Sequence, residues 1–165
     1  MKTLGRRGFT AALAGSLALP ALAWQERIRV KMATLPVPAS LPEAAGLAAK
    51  QGKPLVLLVS LPGCPYCELV RRNYLLPARQ ESGLQAWQLN VTDNRTPLTG
   101  FDGKPSTAAA WTKAAKATFT PTVLFLGPQG QALAEPLVGA AIPDFYGAYL
   151  DERLVLARRA VVALR

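Results

Sequence analysis

A short apolar run sets the strongest limit on the fold. Pro54-Leu55-Val56-Leu57-Leu58-Val59-Ser60 shows no polar alternation, ends in Leu61-Pro62-Gly63, and enters Cys64-Pro65-Tyr66-Cys67 at once. A run of this length without alternation reads as a strand covered on both faces, since neither set of side chains is spared for water. Beyond it Cys67, Val70 and Tyr74 recur at helical spacing, Glu68, Arg71 and Arg72 occupy other faces, and Pro77 is the expected helix stop. The order is buried strand, tight turn, dithiol, helix, which predicts an α/β chain.

Two cysteines one turn apart at a helix start carry a specific chemistry. The first sulfur lies over backbone N–H groups that have no acceptor inside the helix, and these donors with the helix dipole favour thiolate over thiol. Cys64 is therefore the expected nucleophile, and Cys67, further into the helix, the thiol that resolves a mixed disulfide. Pro65 suits a first helical position, where no N–H is needed. Other uses of the pair compete. A purely structural disulfide would close too short a loop to remove much unfolded-state entropy. Zinc lacks further ligands in a chain with two cysteines and no histidine. A Cu(I) carrier could use two thiolates alone, but the only methionine outside the first residue is Met32, in the N-terminal arm. The absence of histidine also excludes Ser/His/Asp and Cys/His pairs.

The remaining chain reads as one domain. Leu41 to Gln51 is alanine-rich with Gly52 just beyond, a short helix with its stop. Leu84 to Val91 fits a strand with Leu84, Ala86, Gln88 and Asn90 on one side and Trp87, Leu89 and Val91 on the other. Thr92 to Pro105 is turn-rich and reads as a long loop, expected to flank the dithiol and contribute to client choice. Ser106 is placed to cap a helix through Ala115 with Ala108, Trp111 and Ala115 as its stripe. Thr122 to Leu126 is a second buried strand, Gly127-Pro128-Gln129-Gly130 a turn, and Ala132 to Val138 its partner, with Pro136 marking an edge. From Ile142, Tyr146, Leu150, Leu154, Ala157, Val161 and Leu164 form one stripe of a long terminal helix.

Residues 1–23 have a basic start (Lys2, Arg6, Arg7), an apolar run from Phe9 to Leu22 and the ending Ala21-Leu22-Ala23, the pattern of a cleaved secretory signal. The alternative, an uncleaved anchor, requires roughly 20 apolar residues, more than this run offers. Arg6-Arg7-Gly8-Phe9 resembles the core of twin-arginine export signals, leaving the Sec and twin-arginine routes both open. Residues 24–40 form an extended arm in which Ile28 to Met32 alternates before Pro36, Pro38 and Pro42, and residues 41–165 form the domain. Without residues 1–23 and their three basic groups, 16 basic and 10 acidic side chains remain, a net +6. They are scattered rather than gathered with aromatics, so nucleic acid is not an expected partner.

The strand entering Cys64-Pro65-Tyr66-Cys67, together with Phe119-Thr120-Pro121-Thr122 opening a later strand, resembles the thioredoxin superfamily over roughly Leu41 to the C-terminus. The resemblance implies a three-layer sandwich, a mixed central sheet with helices on both faces. It also implies a cis bond before Pro121, with Thr120 presenting its backbone to substrate; Pro65, Tyr66, Thr120 and Pro121 are then the substrate-contacting residues. Where classical thioredoxins carry a buried acid six residues before the first cysteine, this chain has Leu58. Its spacer is the Pro-Tyr of glutaredoxins, but Leu137-Val138-Gly139-Ala140 stands where their glutathione-binding Gly-Gly-x-Asp would be. The chain looks like exported bacterial thioredoxin-like proteins, including those found with sulfur-oxidation systems. That likeness implies a monomeric periplasmic thiol-disulfide oxidoreductase acting on protein disulfide clients and recharged by a membrane thiol transporter. No bound cofactor or metal is implied, since electrons pass through thiols. The rival is a non-enzymatic binding module or Cu(I) carrier built on the same sulfurs.

Overall fold

The computed structural model describes residues 34–140 and 143–164. The expected signal at 1–23 and the alternating stretch at 28–32 lie outside them. Every residue of β1 (Leu55–Ser60) is buried, as its unbroken apolar run predicts. It lies inside a four-stranded sheet ordered β2-β1-β5-β6, with β2 at Ala86–Asn90, β5 at Thr122–Leu126 and β6 at Ala132–Val138. A helical crossover joins β1 to β2, which pair in parallel, whereas β5 runs antiparallel to β1 and closes a hairpin with β6. Pro136 falls in β6, an edge strand, where a missing donor can face away from the ladder.

Alternation along β1 divides the core in two. Val56 and Leu58 point to one face with Val123 and Phe125, and meet Val70, Leu75 and the long helix α5 (Pro143–Ala163). Leu55, Leu57 and Val59 point to the other with Leu124 and Leu126, and meet α1 (Leu41–Lys50) and Ala108. The result is the three-layer α/β arrangement, mixed sheet in the middle, that the resemblance implies. Helix α1 starts at Ser40, whose hydroxyl accepts from the Glu43 N–H. In α5 the stripe Tyr146, Leu150, Leu154, Ala157 and Val161 is buried, and Leu164 is exposed. The end of the arm is part of the fold: Leu35 is buried in the first core, and the Pro36 and Ala39 carbonyls accept from the N–H groups of Gln88 and Thr99.

Three local expectations are corrected. Pro77 does not end the dithiol helix: α2 (Pro65–Val70) passes through a π-helical turn, Arg71–Leu75, into α3 (Leu76–Glu81). The Leu76 N–H reaches back five residues to the Arg71 carbonyl, and the widened turn relieves the clash a proline ring makes with a normal preceding turn. Thr92 to Pro105 is not wholly loop, because β3 (Pro97–Thr99) pairs with β4 (Pro105–Thr107) and buries Leu98. Finally, Thr107 rather than Ser106 caps α4 (Ala108–Ala114), accepting from the Ala110 N–H at 3.2 Å. β4 runs through Thr107, so the helix begins only at Ala108 and the residue just before it is the cap; α4 buries Ala108 and Thr112 while Ala115 is exposed.

Candidate active site

Leu61-Pro62-Gly63-Cys64 is a tight turn, closed by a 3.3 Å hydrogen bond from the Cys64 N–H to the Leu61 carbonyl. Gly63 has φ +74°, a value that costs glycine nothing at the third position of such a turn. The turn delivers Cys64 to the N-cap of α2 in extended conformation, with Pro65 in the first turn. The Cys64 sulfur accepts the Cys67 N–H at 3.2 Å, so a backbone donor without a helical acceptor points at sulfur, as the spacing predicts. Cys64 and Cys67 form a disulfide with Cα atoms 5.2 Å apart, an ordinary bridging separation. Cys64 is half-buried and Cys67 fully buried, so an incoming partner can meet only the first sulfur.

The peptide bond between Thr120 and Pro121 is cis. Pairing of Val59 with Thr122 sets Pro121 at the end of β1 from which the dithiol turn leaves. The Pro121 carbonyl accepts from Gly139 at 2.7 Å, and the Thr122 hydroxyl donates to the Phe119 carbonyl at 2.8 Å. Pro121 is buried, Thr120 half-buried, and Pro65 and Tyr66 are exposed. At this end of the sheet several apolar side chains face solvent: Leu61 after β1, Tyr66 between the cysteines, Phe119 before β5, and Val138, which pairs with Thr122.

The sequence reading missed the charge network behind the dithiol. Arg71, placed there off the Cys67, Val70 and Tyr74 stripe, is 6% exposed. Its Nε donates to Gln88 Oε1 at 2.8 Å, one terminal nitrogen donates to Ser60 Oγ at 2.8 Å, and the other pairs with Glu68. Glu68 also pairs with Arg72 at 3.1 Å, so this first-turn acid is held by two arginines as well as favoured by the helix dipole. A signal was available: Ser60 and Gln88 are polar side chains on strands, and Arg71 follows Cys67 by one helical turn. Leu58 is fully buried in the core, so the strand supplies no carboxylate there.

A pocket of about 110 Å³ opens beside the network, between Val37, Pro62 of the dithiol turn, Arg71, and Gln88 and Asn90 of β2. Asp93, at the start of the 92–105 segment, lines it too. Further along that segment Thr99 bridges to Ser40, and Phe101 packs against Trp111. Asp93 Oδ1 accepts from the N–H groups of Arg95 and Thr96 at 3.0 Å each; hydrogen bonding from Thr96, backbone first and then side chain, and from the Arg95 N–H holds its carboxyl below the usual range.

Fold and site together define a thioredoxin-fold protein with a CxxC disulfide, a constellation suited to thiol-disulfide oxidoreduction. Residues 41–153 match the family model of the thioredoxin-like domain, and the chain belongs to that family. Solved structures similar to it include mitochondrial thioredoxin 3 of Saccharomyces cerevisiae in its oxidized form (18% identity, 73% of this chain and 93% of that one, TM-score 0.47). A poplar thioredoxin h (20%, 78% and 89%, 0.45) and thioredoxin O2 of Arabidopsis thaliana, oxidized (13%, 73% and 96%, 0.48), are also similar. No curated protein matches the chain significantly.

Proposed function

We propose that this protein is a periplasmic thiol-disulfide oxidoreductase that reduces or exchanges disulfides of protein clients. The observation that carries the reading is the asymmetry of the pair: a half-buried Cys64 sulfur that accepts a helix-start N–H, bonded to a fully buried Cys67. In the reduced protein the Cys64 thiolate attacks one sulfur of a client disulfide, a mixed disulfide forms, and the first client thiolate leaves and takes a proton. Cys67 then loses its proton, attacks Cys64 Sγ, and releases the second client thiol. Two electrons pass to the client and the Cys64–Cys67 disulfide remains. A membrane thiol transporter is the proposed donor that reduces it again.

Protein clients are favoured by the exposed apolar rim of Leu61, Tyr66, Phe119 and Val138, which can cover an unfolded or extended segment around the attacked disulfide. Thr120 and Pro121 are proposed to line the client strand, and Pro65 and Tyr66 to meet it from the helix side. The periplasmic assignment rests on the signal-like pattern of residues 1–23. Insulin reduction by the purified chain with dithiothreitol tests the activity, and fractionation of bacterial cells expressing the full sequence tests the location. Catalysed precipitation of the insulin B chain and recovery with the periplasmic fraction are expected. Precipitation no faster than with dithiothreitol alone, or retention in the cytoplasm, would overturn the corresponding part.

A further inference from the structure

The pocket beside the dithiol turn combines features that a solvent-filled dent does not need. Arg71 is buried, yet its bonds to Ser60, Gln88 and Glu68 use three of the five N–H groups a guanidinium carries. Gln88 receives Arg71 through its oxygen, and Asn90 receives the Thr92 N–H and hydroxyl through its oxygen, so both amide NH₂ groups keep donor capacity. Asp93 accepts from the Arg95 and Thr96 N–H groups and from the Thr96 side chain, and a carboxylate's four lone pairs leave it further acceptor capacity. Donors and a carboxylate thus line one small cavity. With Glu68 set against Arg71, and Asp93 on the rim, the lining is not cationic enough for a multiply charged anion. It matches a ligand that carries both a carboxylate and an ammonium group.

The cavity also lies close to the chemistry. Pro62 lines it, and two chain steps separate Pro62 from Cys64, so their Cα atoms are at most about 7 Å apart. We infer that this pocket is a subsite for the α-amino-acid head of a small cysteine-derived disulfide, with its carboxylate toward Arg71, Gln88 and Asn90 and its ammonium toward Asp93. The inference rests on the proposed oxidoreductase reading and adds a class of low-molecular-weight substrate to it. With cystine, the Cys64 thiolate would attack one sulfur and expel a cysteine thiolate, which takes a proton. Cys67 would then expel the second cysteine, leaving the protein disulfide.

The test has a binding arm and a kinetic arm. S-methylcysteine, which has the amino-acid head but cannot exchange, is titrated into the oxidised ¹⁵N-labelled protein, with acetate and methylamine as single-charge probes. Saturable shifts of the Gln88 and Asn90 side-chain amides with a dissociation constant on the order of millimolar are expected, with at least about tenfold weaker response to either probe. Asp93→Asn keeps the acceptor used by Arg95 and Thr96 but loses the charge, and binding should weaken about tenfold. In single turnover, the pre-reduced protein should consume cystine faster than cystamine or hydroxyethyl disulfide after correction for their intrinsic reactivity with dithiothreitol. Absence of amide shifts, or equal response to all three probes, overturns the subsite even if insulin is reduced normally. Shifts confined to these amides without insulin reduction would support the subsite and count against the proposed protein activity instead.

Discussion

Replacing Arg71 by Met separates a buried, organised guanidinium from a surface ion pair that happens to lie low. The substitution keeps an unbranched apolar stem and removes three side-chain hydrogen bonds, to Ser60, Gln88 and Glu68. Ser60 is 4% exposed, so its hydroxyl loses a partner where water does not easily replace it, a loss of about 1–3 kcal/mol. The Gln88 oxygen is half-buried and contributes less. Glu68 has a side chain 43% exposed and keeps Arg72, so little is lost there. The sum is about 2–4 kcal/mol of destabilisation, read as a shift of the urea midpoint without a change in slope. Glu68→Gln, which removes only the exposed side of the network, should cost less than about 1 kcal/mol. Circular-dichroism urea titrations of the oxidised proteins measure both. Equal effects from the two variants, or an Arg71→Met loss below about 1 kcal/mol, would show that the network is solvated and refute its role in joining α2 to β1 and β2.

Two other outcomes test the packing. Tyr146 is buried and its hydroxyl has no hydrogen-bond partner among the described residues; burial, and to a lesser degree Tyr74, push its ionisation upward. Tyr146→Phe should therefore be more stable by about 1 kcal/mol at pH 7. Above pH about 10 the unfolded chain loses a phenol proton that the folded chain keeps, so the unmodified protein should lose up to about 1.4 kcal/mol per pH unit from this group, and the variant should not. A less stable variant, or parallel pH profiles, in denaturant titrations at pH 7 and 10.5 would contradict this. Leu154→Ala should cost about 3 kcal/mol and Val155→Ala less than about 0.5 kcal/mol, because Leu154 is 5% and Val155 44% exposed; similar losses in thermal melts would place the α5 stripe on another face.

Periodicity made much of this architecture legible. The unbroken run at 55–60 and the steps of four and three from Tyr146 to Val161 each report a burial pattern that local sequence already carries, and both are found as read. The dithiol followed from the same strand, turn and helix order. Arg71 did not, because its burial depends on Ser60 and Gln88 being brought beside it by two different strands. Pro77 misled because a proline stop assumes an α-helical preceding turn, and here the register slips to a five-residue step. The β3–β4 ribbon has three residues in each strand, too few for alternation to show. Ser106 and Thr107 are adjacent residues of equal capping chemistry, and the extension of β4 through Thr107 sets the helix start at Ala108 and makes Thr107 the cap.

The division of labour between the two sulfurs is tested most directly by mass spectrometry of the single serine variants incubated with a disulfide-containing protein such as insulin. Cys67→Ser is expected to accumulate a reducible covalent adduct through Cys64, because the attacking sulfur is accessible and the resolving one is gone. Cys64→Ser should form none at comparable exposure. Adducts on Cys67 at the same rate as on Cys64, or disulfide turnover retained without Cys64, would contradict it.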